Sequence, residues 1–181
     1  SANRRHLTRG VAGADSWSVD AHKWLNVPYD CGIAIVAHPE AHRASMSTNT
    51  AYLVKSEGSG RDPVDWTPEF SRRARAIPVY ATLKHLGRSG VSSLVERCCA
   101  LTTRMVDRLV TSPGVTVLNE VVLNQALIRF GDDDTTRDVI ASVQREGTCW
   151  LGGTTWKGQG AMRISIVNWS TTEADVDRSA D

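Results

Sequence analysis

A short and almost wholly apolar run, Cys31-Gly-Ile-Ala-Ile-Val-Ala, most constrains how this chain folds. Runs of this length without polar alternation are typical of strands in a sheet that is covered on both faces. Residues 13–20 form a second candidate strand, and the connection 20–31 between the two is rich in polar and aromatic side chains. The pattern predicts two buried strands joined by a segment with more chemical content than a plain turn.

Helical periodicity follows a long loop-like stretch at residues 45–68. Loops longer than about 12–15 residues are usually functional lids or linkers. A first helix is expected near residue 77, and Gly87 to Gly90 break it. The next pattern predicts the most regular helix of the chain, with one apolar face made by Val91, Leu94, Val95, Cys98, Thr102, Met105 and Leu109.

The C-terminal part has an α+β pattern that begins after Ser112-Pro-Gly, which predicts a boundary between domains 1–111 and 112–181. A helix is expected from about Thr135 to Glu146, with Asp133 or Asp134 as its cap and Gly147 as its end. Thr172 and Asp175 resemble a capping box at the start of a last helix. The strands of this part are predicted near residues 115–118, 124–130, 148–155 and 161–167.

Composition excludes several classes of protein. The chain has 21 Lys+Arg against 20 Asp+Glu, so it lacks the basic excess of a dedicated nucleic-acid binder. No run approaches the ~20 apolar residues of a membrane helix. The four cysteines show no CxxC spacing, so neither a disulfide framework nor a metal site is indicated. The simplest expectation is a reduced, cytoplasmic setting.

Lys23 is the most informative residue for function, because it directly follows a strand-like segment and lies between His22 and Trp24. A lysine amine becomes a nucleophile, or the partner of an aldehyde cofactor, when its surroundings favour the neutral form. The alternative is a surface lysine beside a buried tryptophan. Spacing alone leaves both interpretations open.

A longer frame around Lys23 supports the first interpretation. The residues read Ala14-Asp15-Ser16-Trp17-Ser18-Val19-Asp20-Ala21-His22-Lys23-Trp24-Leu25-Asn26-Val27-Pro28-Tyr29-Asp30-Cys31-Gly32. This segment closely resembles the cofactor-lysine segment of the group II pyridoxal-phosphate-dependent amino acid decarboxylases. The family includes enzymes acting on aromatic L-amino acids, glutamate, histidine and diaminobutyrate.

The resemblance implies an α/β chain of the aspartate-aminotransferase-like type, pyridoxal phosphate fold type I. Residues 1–111 would be the end of the large cofactor-binding domain, and residues 112–181 a truncated α+β small domain. The implied cofactor is pyridoxal 5'-phosphate, the substrate a small L-amino acid, and the complete protein a homodimer. Neither nucleic acid nor a membrane is an expected partner.

The resemblance also implies roles for four residues of the lysine segment. Lys23 would bond covalently to the cofactor aldehyde, be released when the substrate amine displaces it, and later take part in proton transfer. Ser16 and His22 match positions near the cofactor phosphate, where hydroxyl and imidazole N–H groups are suitable donors. Asp20 also falls beside the cofactor, at a position where several relatives have Asn.

Two further residues match functional positions of the family. Tyr52 falls where members with aromatic substrates have a mobile-loop tyrosine that delivers a proton after decarboxylation. Arg163 lies in Ala161-Met-Arg-Ile-Ser-Ile-Val-Asn, where alternation separates it from Met162 and Ile164, and it resembles the arginine near the substrate carboxylate. The arginine-rich segment 70–76 also has a family counterpart, and we interpret it as structural.

The resemblance spans essentially the whole chain but only about the C-terminal two-fifths of a family member. The absent part would supply the aspartate that pairs with the pyridine nitrogen, the residue that stacks on the ring, and neighbours for the two N-terminal strands. We therefore expect uncovered apolar strand faces, and a chain that alone is inactive or nearly so.

Two other functions are compatible with the same sequence features. One is another enzyme of the same fold type, such as a transaminase, a carbon–carbon lyase or an aldehyde synthase. Trp24 favours decarboxylases over the lyases, and Tyr52 rather than Phe favours simple decarboxylation over aldehyde formation. The other is a non-catalytic remnant that serves as an interaction domain.

Overall fold

The computed structural model describes residues 1–47 and 60–181. The chain divides into two compact units, Ala2–His85 and Leu86–Asp181, the second of which includes Ser1. The division falls upstream of the boundary predicted after residue 111. The assignment of residues 1–111 and 112–181 to a large and a small domain stays a prediction.

The N-terminal unit contains a two-stranded antiparallel sheet of β1, Ser16–Asp20, and β2, Gly32–Val36. A helix, α1, follows at Pro39–Met46. Both predicted strands are present, but every residue of β1 is exposed and no residue of β2 is buried, so the predicted burial of the two strands is wrong for the described chain. Because the sheet has only two strands, the apolar side chains of Trp17, Val19 and Ile35 are left uncovered, as the resemblance implied.

The long helix α2, Ala76–Leu109, has a break at Gly87, whose φ of 59° and ψ of −173° are not helical. Glycine adopts this left-handed φ at little cost, so the predicted break is confirmed there. Helical structure resumes at once, and its buried residues follow the predicted apolar face closely. Among the residues described, no helix is long and apolar enough to cross a membrane.

The C-terminal unit has the predicted α+β arrangement. Its four-stranded antiparallel sheet has the order β3-β4-β6-β5. The strands are β3 at Val115–Val117, β4 at Gln125–Phe130, β5 at Gly152–Trp156 and β6 at Gln159–Ser165. The helices are α3 at Asp133–Glu146 and α4 at Glu173–Ala180.

The ends of these two helices follow local hydrogen-bonding rules. The N-cap of α3 is Asp132, which accepts a hydrogen bond from the Thr135 backbone N–H at 2.8 Å. The predicted cap one or two residues later is therefore wrong, because those aspartates already lie in the first helical turn. Gly147 ends α3 with a φ of 84°, as predicted. The Thr172–Asp175 capping box is confirmed in both directions.

Alternation along β6 fixes which face of this sheet is buried. Met162 and Ile164 point into the core with the apolar residues of α2, α3 and α4, whereas Arg163 is exposed. Trp150 and Trp156, close to and at the end of β5, are 76% and 41% exposed. The least exposed residues of this core are Leu101, Met105, Ala126, Ile128, Met162, Ile164 and Val176.

Replacing Ile164 by Ala should lower the free energy of unfolding by about 2–5 kcal/mol, because a fully buried side chain is truncated and a cavity remains. The neighbouring exposed Arg163→Ala variant is the matched control and should change it by less than about 0.5 kcal/mol. Urea unfolding followed by far-UV circular dichroism measures both. Equal effects would contradict the assignment of the two faces of β6.

Candidate active site

The candidate catalytic lysine lies in a tight turn at the end of β1. The Lys23 backbone N–H donates to the Asp20 carbonyl at 3.1 Å, and the Asn26 N–H donates to the Lys23 carbonyl at 3.2 Å. Asn26 has a φ of 57°, which reverses the chain direction. The turn closes with a 3.3 Å bond from the Val27 N–H to the Ala21 carbonyl, so the position of Lys23 is determined by backbone bonds on both sides.

A small cluster of apolar side chains anchors this turn. Ala21, Val27 and Cys31 are buried, and Leu25, Ile33 and Val79 pack against them. The side chain of Lys23, by contrast, is 60% exposed. The arrangement anchors the backbone of the turn and leaves the amine accessible to a reagent from solvent.

Asp20 is the observed partner of the Lys23 amine. The Nζ–Oδ2 distance is 2.5 Å, and the hydrogen bond from the lysine holds the pKa of the Asp20 carboxyl below its usual value. A carboxylate so placed stabilises the charged form of the amine, which is not nucleophilic. Asp20 is therefore a counterion of Lys23 in this structure, and its place beside the cofactor stays a prediction.

His22 is held in a defined orientation beside Lys23. Its ring Nδ1 accepts a hydrogen bond from the Cys31 backbone N–H at 3.0 Å, and the His22 backbone N–H donates to the Cys31 carbonyl at 3.2 Å. The ring stacks on Tyr29 with centroids 4.0 Å apart. A nitrogen that accepts a hydrogen bond has no proton, so the neutral ring has its proton on Nε2. That Nε2–H is a donor suited to a phosphate oxygen.

The serine predicted near the phosphate lies at the far end of β1. Ser16 and Asp20 are at opposite ends of the strand, about 13 Å apart at strand geometry, so the structure does not bring Ser16 next to Lys23. Ser18 lies between them on the same strand face, because side chains alternate along a strand. Our sequence reasoning missed this second hydroxyl, although the spacing Ser16-x-Ser18-x-Asp20 indicates it.

The arginine-rich segment contacts the far side of the lysine turn. Arg75 forms a two-pronged ion pair with Asp30, with Nε–Oδ1 and Nη2–Oδ2 both at 3.0 Å. Arg73 donates to the Tyr29 carbonyl through Nη2. The hydrogen bond from Arg75 holds the pKa of Asp30 below its usual value. The structural interpretation of this segment agrees with these contacts, but the sequence did not reveal Asp30 as the partner.

Two predicted site residues lie elsewhere. Tyr52 falls outside the described residues. Arg163 belongs to the C-terminal unit, where it is exposed on β6 between Leu127 and Gly152 of the neighbouring strands. No hydrogen bond or ion pair joins its guanidinium to another residue that the structure describes, so the guanidinium is available to an anion.

The described residues contain no group of three or more His, Cys, Asp or Glu able to hold a metal ion. None of the cysteines that the structure describes, Cys31, Cys98, Cys99 and Cys149, forms a disulfide. The functional groups along β1 and in the turn that follows it thus include an amine, an imidazole, two hydroxyls and a carboxylate.

Comparison with solved structures shows the fold type. The chain superposes on the crystal structure of Oryza sativa TDC with PLP and tryptamine with a TM-score of 0.91, at 20% identity. The match covers 98% of this chain and 39% of that one. The fold is that of the pyridoxal-phosphate enzymes of fold type I, as the resemblance implied.

Family comparison is more specific. Residues 1–130 match the model of the pyridoxal-dependent decarboxylase conserved domain, and the chain belongs to this family. It is 23% identical over 177 residues to an aromatic-L-amino-acid decarboxylase of Drosophila melanogaster, covering 97% of this chain and 35% of the relative. It is also 33% identical over 95 residues to a phenylacetaldehyde synthase of a Rosa hybrid cultivar, covering 51% of this chain and 19% of that one. The chain spans little more than a third of the length of the first of these relatives.

The residues present fit the cofactor of this family. The Lys23 amine can bond to an aldehyde, and the Nε2–H of His22 and the serine hydroxyls of β1 can donate to a phosphate. In addition, the indole Nε1–H of Trp24 is buried and has no acceptor among the residues that the structure describes. Of these donors, His22 and Trp24 flank Lys23 directly, whereas the serine hydroxyls lie along β1.

Asp20→Asn should increase the rate at which Lys23 bonds to added pyridoxal phosphate, by up to about fivefold at pH 8, because the anion that stabilises the charged amine is removed. Borohydride reduction and peptide mass spectrometry at timed intervals measure the rate. Asp15→Asn, at a carboxylate that pairs with His38 instead, is the control and should leave it unchanged. A slower reaction in Asp20→Asn would contradict this role.

Asp30→Asn should be less stable than the parent chain at neutral pH, and the difference should disappear in acid. The folded-state pKa of Asp30 is lowered from 3.8, so its contribution is present above that pH and is lost as the pH falls through the folded-state value. Urea unfolding between pH 7 and pH 2 tests this prediction. A constant difference over the whole range would show that the charge of Asp30 has no part in the effect.

Proposed function

We propose that this chain forms the lysine-bearing part of a pyridoxal-phosphate-dependent L-amino acid decarboxylase, which releases carbon dioxide and the corresponding amine. The observation that supports this most is the turn after β1, which anchors Lys23 by its backbone and leaves its amine accessible. The relatives favour an aromatic amino acid as the substrate. We also propose that the complete protein is a homodimer and works in the cytoplasm.

Within this proposal, Lys23 would hold the cofactor through its amine, at the position where the substrate amine would bind in its place. His22 donates its Nε2–H to the phosphate, and Ser16 supplies a hydroxyl donor. Asp20 keeps Lys23 charged until the site is filled. The bound cofactor supplies an electron sink for the bond that loses carbon dioxide.

Arg163 and Tyr52 act on the substrate in this proposal. The guanidinium of Arg163 binds the substrate carboxylate through two parallel N–H donors, because its planar fork matches that geometry. Tyr52 donates a proton to the substrate carbon after carbon dioxide has left. A phenol with a pKa near ~10 remains protonated at neutral pH and can serve as this acid.

Aldehyde formation is the second candidate, because a phenylacetaldehyde synthase is among the relatives. Such a reaction also removes carbon dioxide, but it gives an aldehyde instead of an amine. The tyrosine at position 52, where aldehyde-forming relatives would have Phe, favours simple decarboxylation.

The test uses the complete product of the gene, loaded with pyridoxal phosphate and supplied with single L-amino acids: tryptophan, tyrosine, phenylalanine, glutamate or diaminobutyrate. We expect carbon dioxide and amine in equal amounts from an aromatic substrate, measured by trapping and mass spectrometry. Lys23→Ala should abolish turnover. Lys84→Ala, an exposed lysine of α2, is the matched control and should leave it unchanged.

Arg163→Lys should raise KM for the amino acid by about 10- to 100-fold, since a charge-assisted, two-pronged contact is reduced to a single donor. Steady-state kinetics separates this change in KM from an effect on kcat.

In the activity test, aldehyde in place of amine would favour the second candidate. Full activity in Lys23→Ala would overturn the proposed function.

A further inference from the structure

The contacts of Arg75 extend through the chain to the histidine beside the reactive lysine. Its Nε and Nη2 bind both carboxylate oxygens of Asp30, and Nε also donates to the Asp30 carbonyl at 2.9 Å. The Arg75 carbonyl accepts a hydrogen bond from the Cys31 thiol at 3.6 Å. Arg75 therefore contacts two successive residues: its side chain binds Asp30, and its backbone carbonyl binds the Cys31 thiol.

These same residues determine the state of His22. The Cys31 N–H points at His22 Nδ1 at 3.0 Å, and the Tyr29 ring covers the imidazole face. If Asp30 shifted, both neighbours would shift with it, because they are bonded to it directly. Without the Cys31 donor, the neutral imidazole would be free to place its proton on either nitrogen.

We propose that Arg75 is a positioning residue, which holds the segment 29–31 so that the Cys31 N–H keeps the His22 proton on Nε2. The inference rests on the proposed function in one respect: the Nε2–H so produced is the donor offered to the cofactor phosphate. Arg75 itself touches neither Lys23 nor His22 through any contact found among the described residues. Its effect passes through Asp30 and the backbone.

The neighbouring Arg72 provides a matched control. It belongs to the same arginine-rich segment, and its Nε lies 2.7 Å from a carboxylate oxygen of Glu69, an ion pair that involves no residue of the lysine turn. Arg72→Gln and Arg75→Gln therefore each remove one guanidinium and one ion pair. Only the second removes a contact with Asp30.

The experiment measures the tautomer of His22 in the 181-residue chain without cofactor. Two-bond proton–nitrogen spectra of histidine-labelled protein at pH 8 distinguish a protonated ring nitrogen from an unprotonated one, and His22→Asn identifies the signal among the five histidines. In the parent chain and in Arg72→Gln we expect one protonated nitrogen, Nε2. In Arg75→Gln the Nε2–H to Nδ1–H ratio should fall on the order of fivefold, the equivalent of about one hydrogen bond.

Arg75→Lys should give an intermediate ratio, because a lysine offers a point charge to Asp30 but not the two-pronged geometry. Far-UV circular dichroism accompanies each variant, and if Arg75→Gln unfolds, Arg75→Lys and Asp30→Asn provide the comparison. An unchanged tautomer in the folded variants would overturn the positioning role. Loss of turnover in Lys23→Ala tests the proposed function separately, since the tautomer is measured without cofactor or substrate.

Discussion

The reciprocal pair of hydrogen bonds between His22 and Cys31 is the interaction on which the candidate site depends. One bond joins the two backbones at 3.2 Å, and the other joins the Cys31 N–H to His22 Nδ1 at 3.0 Å. Together they close the connection between β1 and β2 and fix the turn in which Lys23 lies. An exposed lysine in a fixed turn can be both reachable and correctly placed, whereas an exposed lysine in a loose loop is only reachable.

The two units of the chain are stabilised by different kinds of interaction. The C-terminal unit buries a continuous apolar core between a four-stranded sheet and helices α2, α3 and α4. The N-terminal unit buries only a few small side chains beneath the lysine turn and depends more on hydrogen bonds and ion pairs. A site held by polar contacts is sensitive to single side chains, because an unpaired partner is costly to leave behind.

Several strand faces and helix ends could be predicted from the sequence, because the spacing of apolar residues follows the geometry of strands and helices. The alternation around Arg163 predicted that it lies on the strand face opposite Met162 and Ile164, and Gly147 and the pair Thr172–Asp175 predicted helix ends. Burial of β1 and β2 was predicted wrongly, because the apolar run of β2 does not show how many strands its sheet has, and the two-stranded sheet leaves no residue of either strand buried. Partners distant in sequence were also beyond reach: nothing local links Arg75 to Asp30, 45 residues away.

The candidate site, too, could be predicted only in part from the sequence. The frame around His22 and Lys23 gave the family, and the match over residues 1–130 confirms it. The counterion role of Asp20 emerged only with coordinates, because a carboxylate three residues before a lysine has many other possible partners. The distance from Ser16 to the turn likewise depends on the length of β1, which the sequence places only to within a few residues.

The most direct measurement is a count of cofactor on each of the four lysines, Lys23, Lys55, Lys84 and Lys157. The complete gene product is mixed with pyridoxal phosphate, reduced with borohydride, digested and analysed by quantitative mass spectrometry. Our account predicts that Lys23 holds nearly all of the label at stoichiometric cofactor, and that pyridoxal without its phosphate labels it far less. Equal labelling of the four lysines, or dominant labelling at any lysine other than Lys23, would contradict the account.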